Sequence, residues 1–168
     1  MRGFTLIEVM IALVVVGILS FIGLPEFTLM MANTQVRTAA EAITNGVQTA
    51  RNEAVHRNGS VQFVLGNQSG YQVIVVSTGE IVRNRSANEG SSKAVVTASP
   101  AGATEVTFNS FGRVTTNPDA TASLQKILVS SASVPVGTRT MQIEVGNNVR
   151  MCDPQVTTAG DSRLCLLP

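Results

Sequence analysis

The sequence predicts an α+β fold in which one long N-terminal helix packs on an antiparallel, β-rich globular domain. Three observations predict this fold. An apolar run occupies residues 4–25, a stripe of apolar residues at helical spacing continues beyond it, and short β-type runs separated by turn residues follow Gly59. A helix followed by a series of strands is typical of the α+β class.

The composition fits one domain with an apolar appendage. The chain has 168 residues, 12 Lys+Arg against 11 Asp+Glu, and a net charge of +1. This balance excludes a broadly basic nucleic-acid binder and an acidic disordered tail, but it leaves a local basic site open. With 44% apolar and 14% charged residues and a mean hydropathy of +0.24, the chain is too apolar to be disordered.

Residues 4–25 are the first half of the predicted helix and can cross a membrane. Sixteen of these 22 residues are apolar, Glu8 is the only charged one, and the 17 residues 9–25 carry no charge. A span needs ~17–25 residues. A removable signal peptide is not favoured, because the leader is only residues 1–3 and no A-x-A site follows. Since Arg2 precedes the run and the next basic residue is Arg37, the N-terminus is predicted to be cytoplasmic and the globular domain periplasmic or extracellular.

Residues 26–58 are predicted to continue the same helix as an amphipathic segment. Apolar residues recur there at steps of three and four, which makes one helical stripe. Its members are Leu29, Ala32, Val36, Ala39, Ile43, Val47, Ala50 and Ala54. Asn58-Gly59 provides a stop at which the glycine can take the left-handed conformation. Because Pro25 can break or kink a helix, a membrane anchor followed by a separate helix is the alternative.

Residues 59–168 are predicted to form the β-rich domain, long enough to bury a core once the amphipathic segment covers one sheet face. The candidate strands are 60–65, 71–77, 94–98, 105–109, 113–116, 124–131, 139–145 and 149–152. The region 84–99, which contains a run of Ser, Asn and Gly residues, is predicted to be a loop of uncertain course.

The two cysteines, Cys152 and Cys165, are predicted to form a disulfide bond. An even cysteine count in an exported domain favours pairing. Closing this 14-residue loop would stabilise the fold by about 3 kcal/mol in the chain-entropy model. Zinc is the weaker alternative, because two thiols without a nearby histidine supply too few ligands.

Three further motifs and the leader carry a family resemblance. The segment GFTLIEVMIALVVVGIL resembles the class III leader of type IV pilins and type II secretion pseudopilins. The segments QTARNEAVHRN, FNSFGRVT and RMCDPQVTTAGDSRLC resemble the GspH/FimT minor pilin family. The resemblance implies a type IV pilin-like fold. It also implies that a prepilin peptidase cuts between Gly3 and Phe4 and methylates the new Phe4 amine, so that residues 1–3 are removed and the helix is retained.

Glu8 is the candidate assembly residue. An ionised carboxylate inside an apolar helix is unfavourable by a few kcal/mol unless it reaches water or a cation. After cleavage the Phe4 amine would lie about 6 Å away along the helix axis. The family implies that Glu8 pairs with the amine of a neighbouring subunit, which sets the register of the filament. The alternative is a carboxylate that reaches the membrane surface and has no role in assembly.

The resemblance implies a minor pilin that helps to initiate assembly of a type IV pilus and sits at or near its tip. The first alternative is an H-type pseudopilin at the tip of a type II secretion pseudopilus. Expected partners are other minor and major pilins or pseudopilins, the prepilin peptidase and inner-membrane lipid. The protein is expected to be single-pass in a bacterial inner membrane before it enters the filament.

The second alternative is a pilus-tip DNA receptor for natural transformation. Ten of the 12 basic residues are arginine, whose planar fork suits phosphate. The candidate DNA contacts are Arg83, Arg85, Arg113, Arg150 and Arg163. Some members of the family bind DNA through a C-terminal Gly-Arg-x-Arg motif, and the corresponding hairpin here, residues 146–150, keeps only Arg150. The other interpretation is that these arginines are solvated or paired with nearby glutamates.

Catalysis is not predicted, and neither is a cofactor or a metal. The sequence has one histidine, His56, and it has no G-x-S-x-G or Walker-type motif. His56 is expected to be an exposed residue at the end of the helix, where a positive charge interacts favourably with the helix dipole.

Overall fold

The structure, a computed structural model, describes residues 4–87, 89, 91–132 and 138–166. Within these described residues, one helix, α1 (Leu6–His56), precedes nine strands. The strands are β1 (Val61–Leu65), β2 (Tyr71–Val75), β3 (Ile81–Arg85), β4 (Ala94–Ser99), β5 (Glu105–Phe108), β6 (Val114–Thr115), β7 (Lys126–Ser131), β8 (Met141–Glu144) and β9 (Arg150–Cys152). The predicted α+β class is therefore confirmed.

The single long helix is also confirmed, because α1 runs through Pro25 without a break. Thr5 caps its N-terminus: the Thr5 hydroxyl accepts a hydrogen bond from the Glu8 backbone N–H at 3.4 Å. At its C-terminus Asn58, at φ 49°, takes the left-handed conformation that was expected of Gly59. The Gly59 N–H donates to the Ala54 carbonyl at 3.1 Å, which completes a Schellman-type end with asparagine in the usual glycine position.

The nine strands form two antiparallel sheets. The first sheet has the order β3-β2-β1-β5-β6 and the second has the order β4-β7-β8-β9. In the first sheet β1 pairs with both β2 and β5, and its side chains alternate between buried and half-buried positions. One sheet face is thereby turned towards the helix.

The C-terminal half of α1 closes the core by lying across both sheets. From Val36 onward the predicted stripe is fully buried. It packs with Phe63 and Phe108 of the first sheet and with Ile127 and Ile143 of the second in one hydrophobic cluster. The helix approaches the first sheet closely at Gly46, where an added Cβ atom would lie 2.6 Å from the Tyr71 ring.

The strand β3 was missed by the sequence analysis. The loop predicted for residues 84–99 is wrong at both ends, because residues 84–85 belong to β3 and residues 94–99 form β4, most of which was also predicted as a strand. The sequence of β3, IVRNR, lies at the edge of the first sheet and has a mostly exposed pattern. An edge strand without alternating apolar residues gives little signal in the sequence. Its pairing with β2, which includes a register shift between Val73 and Ile74, is what defines it.

Candidate functional site

The N-terminal half of α1 is an apolar surface that the other residues described by the structure leave uncovered. An 18-residue window of this helix has a mean hydropathy of 2.6 and none of it is buried. Phe4 and Phe21 are 83% and 85% exposed. From Leu6 to Leu24 the helix is about 28 Å long, which matches the ~30 Å hydrocarbon core of a bilayer. This half is long and apolar enough to span a membrane.

Glu8 lies near the start of that apolar surface. Among the residues that the structure describes, no hydrogen bond or ion pair engages its carboxylate, while its backbone N–H is held by Thr5. Phe4, one turn before it, precedes the helix and is exposed, so its backbone is accessible. Gly3 lies outside the described residues. The cleavage site, the methylated amine and the pairing of Glu8 all stay predictions.

The predicted disulfide bond between Cys152 and Cys165 is present, with a Cα–Cα distance of 5.2 Å. Hydrogen bonds hold its loop on both sides. The Asp153 N–H donates to the Arg163 carbonyl at 2.8 Å, and the Leu166 N–H donates to Glu144 Oε1 at 2.8 Å. Since both sulfur atoms are used in the bond, the cluster that the cysteines make with Glu144 has no thiolate to offer zinc.

The five candidate arginines for DNA contact are spread over the domain. Arg83 and Arg85 lie on β3, whereas Arg113 directly precedes β6 at the opposite edge of the same sheet. Four strand spacings separate those edges, or about 19 Å. Arg150 and Arg163 lie on β9 and in the disulfide loop. Of these five arginines, the structure therefore places only Arg83 close to Arg85 and only Arg150 close to Arg163.

Three of these five guanidinium groups are engaged within the chain. Arg85 donates to the Ser69 carbonyl and hydroxyl at 2.9 Å each. Arg150 donates to the Ser162 and Leu164 carbonyls. Arg163 pairs with Asp161 at 2.8 Å, and this hydrogen bond lowers the pKa of the Asp161 carboxyl to about 2. The side chains of Arg83 and Arg113 are exposed. DNA contact by the five arginines stays a prediction.

An ion-pair network fixes the end of α1 to the first sheet. Arg57 Nη1 lies 2.8 Å from Glu80 Oε2, and Arg57 Nε lies 2.8 Å from Glu53 Oε2. The hydrogen bond and charge of Arg57 hold the pKa of the Glu80 carboxyl below its ordinary value. His56 is exposed in the last turn of the helix, as expected.

The sequence analysis did not predict that two of the family motifs meet. The segments QTARNEAVHRN and FNSFGRVT are about 60 residues apart in the chain. In the structure the turn that contains Phe111 and Gly112 lies on the last two turns of α1, next to Arg51 and Val55. The turn itself could be predicted from Ser110-Phe111-Gly112, because glycine and serine favour tight turns, but no local signal in the sequence indicates that it contacts α1.

Two family models match the chain. The model described as "Type II transport protein GspH" matches residues 39–157, and the "Prokaryotic N-terminal methylation motif" matches residues 1–24. Two crystal forms of the type IV minor pilin FimU from Pseudomonas aeruginosa are similar to this chain at 17% and 18% identity, with TM-scores of 0.49 and 0.46. The similar regions cover 69% and 68% of this chain and 87% and 90% of those chains.

The first family model extends from the buried half of α1 through both sheets and into the disulfide loop. The second covers the leader and most of the exposed half of α1. Together they cover most of the apolar, exposed half of α1 and most of the domain packed on its buried half. The chain therefore belongs to the GspH family of type IV pilin-like proteins.

Proposed function

We propose that this protein is a minor pilin that helps to initiate assembly of a type IV pilus and sits at or near its tip. Its membership of the GspH family supports the coarser function, a pilin-type or pseudopilin-type subunit that interacts with other pilins. The observation that carries the proposal is the continuity of α1. One unbroken helix has an exposed apolar half and a half that is buried under the domain.

An unbroken helix suits a subunit whose apolar half is surrounded by lipid before assembly and by other subunits afterwards. Before assembly, the apolar half of α1 is held in the hydrocarbon core of the inner membrane. In the filament the same side chains pack against the helices of neighbouring subunits, so that the apolar surface is never left in water. Because the helix is not interrupted at Pro25, movement of the apolar half also moves the globular domain.

The proposed maturation uses the first eight residues. A prepilin peptidase cleaves after Gly3 and methylates the amine of Phe4. Glu8 then pairs with the Phe4 amine of a neighbouring subunit, since an unpaired carboxylate in an apolar environment is costly. We place the N-terminus in the cytoplasm and the globular domain in the periplasm, because Arg2 precedes the apolar half and the disulfide bond suits an oxidising compartment.

A second candidate is the H-type pseudopilin at the tip of a type II secretion pseudopilus. The observation that favours it is the description of the matched family, which names type II transport. Both machines would use the same helix and the same assembly residue, so the described geometry fits each of them. The DNA receptor has no such specific observation in its favour, because the candidate arginines are dispersed and mostly engaged.

Deletion of the gene, followed by four parallel assays, separates the candidates. Loss of surface pili and twitching with normal secretion supports the proposed minor pilin. Loss of secreted enzymes with normal pili replaces it with the pseudopilin. Loss of DNA uptake alone, with normal pili and secretion, replaces it with the receptor. Complementation with the wild-type gene is the control, and a deletion strain that is normal in all four assays contradicts all three candidates.

A further inference from the structure

The membrane-distal end of the molecule carries a preformed apolar and cationic knob. We define the distal knob as Arg51, Val55, Phe111 and Arg113. Val55 is 31 residues beyond Leu24, or about 47 Å along the helix axis, so the knob lies at the opposite end of α1 from the membrane-spanning half. It joins the two family motifs that meet in the structure, and the assembly of α1 described above does not use it.

Hydrogen bonds to one asparagine hold the turn that carries Phe111. Asn109 Oδ1 accepts hydrogen bonds from the backbone N–H groups of Phe111, at 3.0 Å, and Arg113, at 3.1 Å. The Gly112 N–H donates to the Asn109 carbonyl at 2.8 Å, and the Asn109 N–H donates to the Arg113 carbonyl at 2.9 Å. Four hydrogen bonds thus tie the turn to one asparagine.

The same turn packs against α1 at Gly112. This residue has a φ of +67°, and a Cβ atom added to it would lie 3.1 Å from both Arg51 Nε and Val55 Cγ2. The backbone conformation favours glycine at this position, and a side chain there would also crowd Arg51 and Val55 on α1. This packing fixes the direction in which the neighbouring Phe111 projects.

Phe111 projects into solvent with 81% of its surface exposed, although Phe63 and Phe108 of the same sheet are fully buried. Val55, beside the turn, is 52% exposed. Folding alone does not require an aromatic side chain here, because Phe111 contributes almost nothing to the core. A large apolar side chain that projects from a hydrogen-bonded turn is typical of an anchor residue at a protein interface. The backbone of such a turn is already ordered, so it loses little conformational entropy on binding.

The charges around Phe111 indicate what it meets. In the part of the chain that the structure describes, neither Arg51 nor Arg113 makes an ion pair or a hydrogen bond from its guanidinium group to a carboxylate. Arg37, Arg57 and Arg163, in contrast, are each paired with an acidic residue. The distal knob therefore has an apolar centre with unneutralised positive charge at its side.

We propose that the distal knob docks into an apolar pocket, rimmed by carboxylates, on another pilin-like subunit located farther from the membrane. This inference rests on the proposed function, because a subunit assembled from the membrane has the previously assembled subunits on its distal side. Phe111 fills the pocket, and Arg51 and Arg113 pair with the acidic rim, which gives the contact its orientation. The protein is then near the tip of its filament but beneath at least one other subunit.

Site-specific photocrosslinking of the full-length protein in its own cells tests this contact. A photoreactive phenylalanine analogue is placed at position 111, at position 13 in the apolar half of α1, or at position 95 on β4. The probes are the other pilin-like subunits of the same cell, each carrying an epitope tag. We expect a crosslink from position 111 to one such subunit and none from Val95, which is also exposed, at 43%.

The substitution F111D adds a quantitative readout. The yield of a second crosslink, from position 110 beside Phe111 to the same subunit, should fall about 30-fold, which corresponds to about 2 kcal/mol. V95D should leave it unchanged. Because Phe111 is exposed, the thermal unfolding midpoint of F111D should equal that of the wild type, which separates lost docking from lost folding.

The outcomes distinguish this inference from the proposed function. Crosslinks from position 13 to pilin-like subunits without any from position 111 contradict the docking of the distal knob. They leave the proposed function standing. An absence of such crosslinks from both positions overturns both. A crosslink from position 111 only to lipid, or only to DNA, also overturns the inference.

Discussion

The two halves of α1 belong to one continuous helix, but they bury their apolar side chains against different surroundings. The first half, residues 6–31, carries large side chains such as Leu, Ile, Met and Phe around the whole helix, and nearly all of them are exposed. The second half, from Val36 to Ala54, carries one stripe of mainly Ala and Val that is fully buried under the two sheets. The distribution of apolar residues around the helix thus indicates whether or not the chain itself covers them.

The largest effect on assembly is expected from E8L in the exposed half. Leucine removes the carboxylate that we propose pairs during assembly, and it leaves the segment at least as apolar, so the protein should stay in the membrane. Recovery in sheared filaments should fall about tenfold or more, which corresponds to about 1.4 kcal/mol or more. Immunoblots of sheared and membrane fractions measure this ratio.

The matched control is E26L, in which the substituted glutamate lies just beyond the apolar run. The Glu26 carboxylate can reach water without a partner. Recovery of E26L in sheared filaments should therefore be close to that of the wild type. Recovery of E8L at the wild-type level would remove Glu8 from the assembly mechanism.

The second test compares one isoleucine in each half. I43A creates a cavity where α1 faces the sheets, because Ile43 is fully buried. It should reduce the free energy of unfolding by about 2–5 kcal/mol. Ile11 is 59% exposed, so I11A should change domain stability by less than about 0.5 kcal/mol. Urea unfolding of both full-length variants in detergent micelles checks this, and equal losses would show that the halves are not energetically distinct.

The third test compares two helical glycines. At Gly46 an added Cβ atom would lie 2.6 Å from the Tyr71 ring and 2.9 Å from the Phe63 ring. G46A should therefore destabilise the domain by about 1–3 kcal/mol. At Gly17 no atom lies within 4 Å of the added Cβ, so G17A should be neutral or stabilising by up to about 1 kcal/mol. Thermal unfolding of the two variants gives the comparison, and a neutral G46A would contradict the close packing.

The smallest effect is expected at the ion pair that fixes the end of the buried half. The pKa of Glu80 is lowered by Arg57, so the carboxyl binds its proton more weakly in the folded chain than in the unfolded one. Its contribution to stability is then present above the unfolded pKa, about 4.3, and is lost as the pH falls through the lower folded pKa. The pair is exposed, so its contribution is small.

The variant E80Q measures that contribution. The urea midpoint of the wild type should exceed that of E80Q slightly at pH 7, and the two should converge at a pH below the folded pKa of Glu80. A constant difference at all pH values would show that Glu80 acts through packing and not through its charge.

Much of the architecture could be predicted from the sequence because local patterns carry it. The spacing of Val36, Ile43 and Ala54 predicted the buried face of α1, and eight of the strands were indicated by β-type runs between turn residues. The disulfide bond could be predicted because the chain has only two cysteines and its domain was expected to be exported. The edge strand β3 could not be predicted, because its residues show no alternation and its only definition is its pairing with β2.

The candidate sites also divide into those that a local sequence pattern indicates and those that depend on the tertiary structure. Phe4 and Glu8 could be recognised because a leader motif is contiguous in sequence. The arginines could be listed but not placed, since only the strand order separates Arg85 from Arg113 across the first sheet. The turn at Phe111 was quoted as a motif, yet its position against Arg51 depends on a contact between residues about 60 positions apart.

The sequence by itself therefore determined the helix, its division into two halves and the family, because each depends on residues that are close together in the chain. Only the tertiary structure decided which charges are paired, that Asn58 and not Gly59 takes the left-handed conformation, and that Phe111 points outward from a turn packed on α1. These features depend on the packing of the helix across two sheets. Periodicity determines which face of a helix is buried, but it contains no information about which distant residues the buried face will meet.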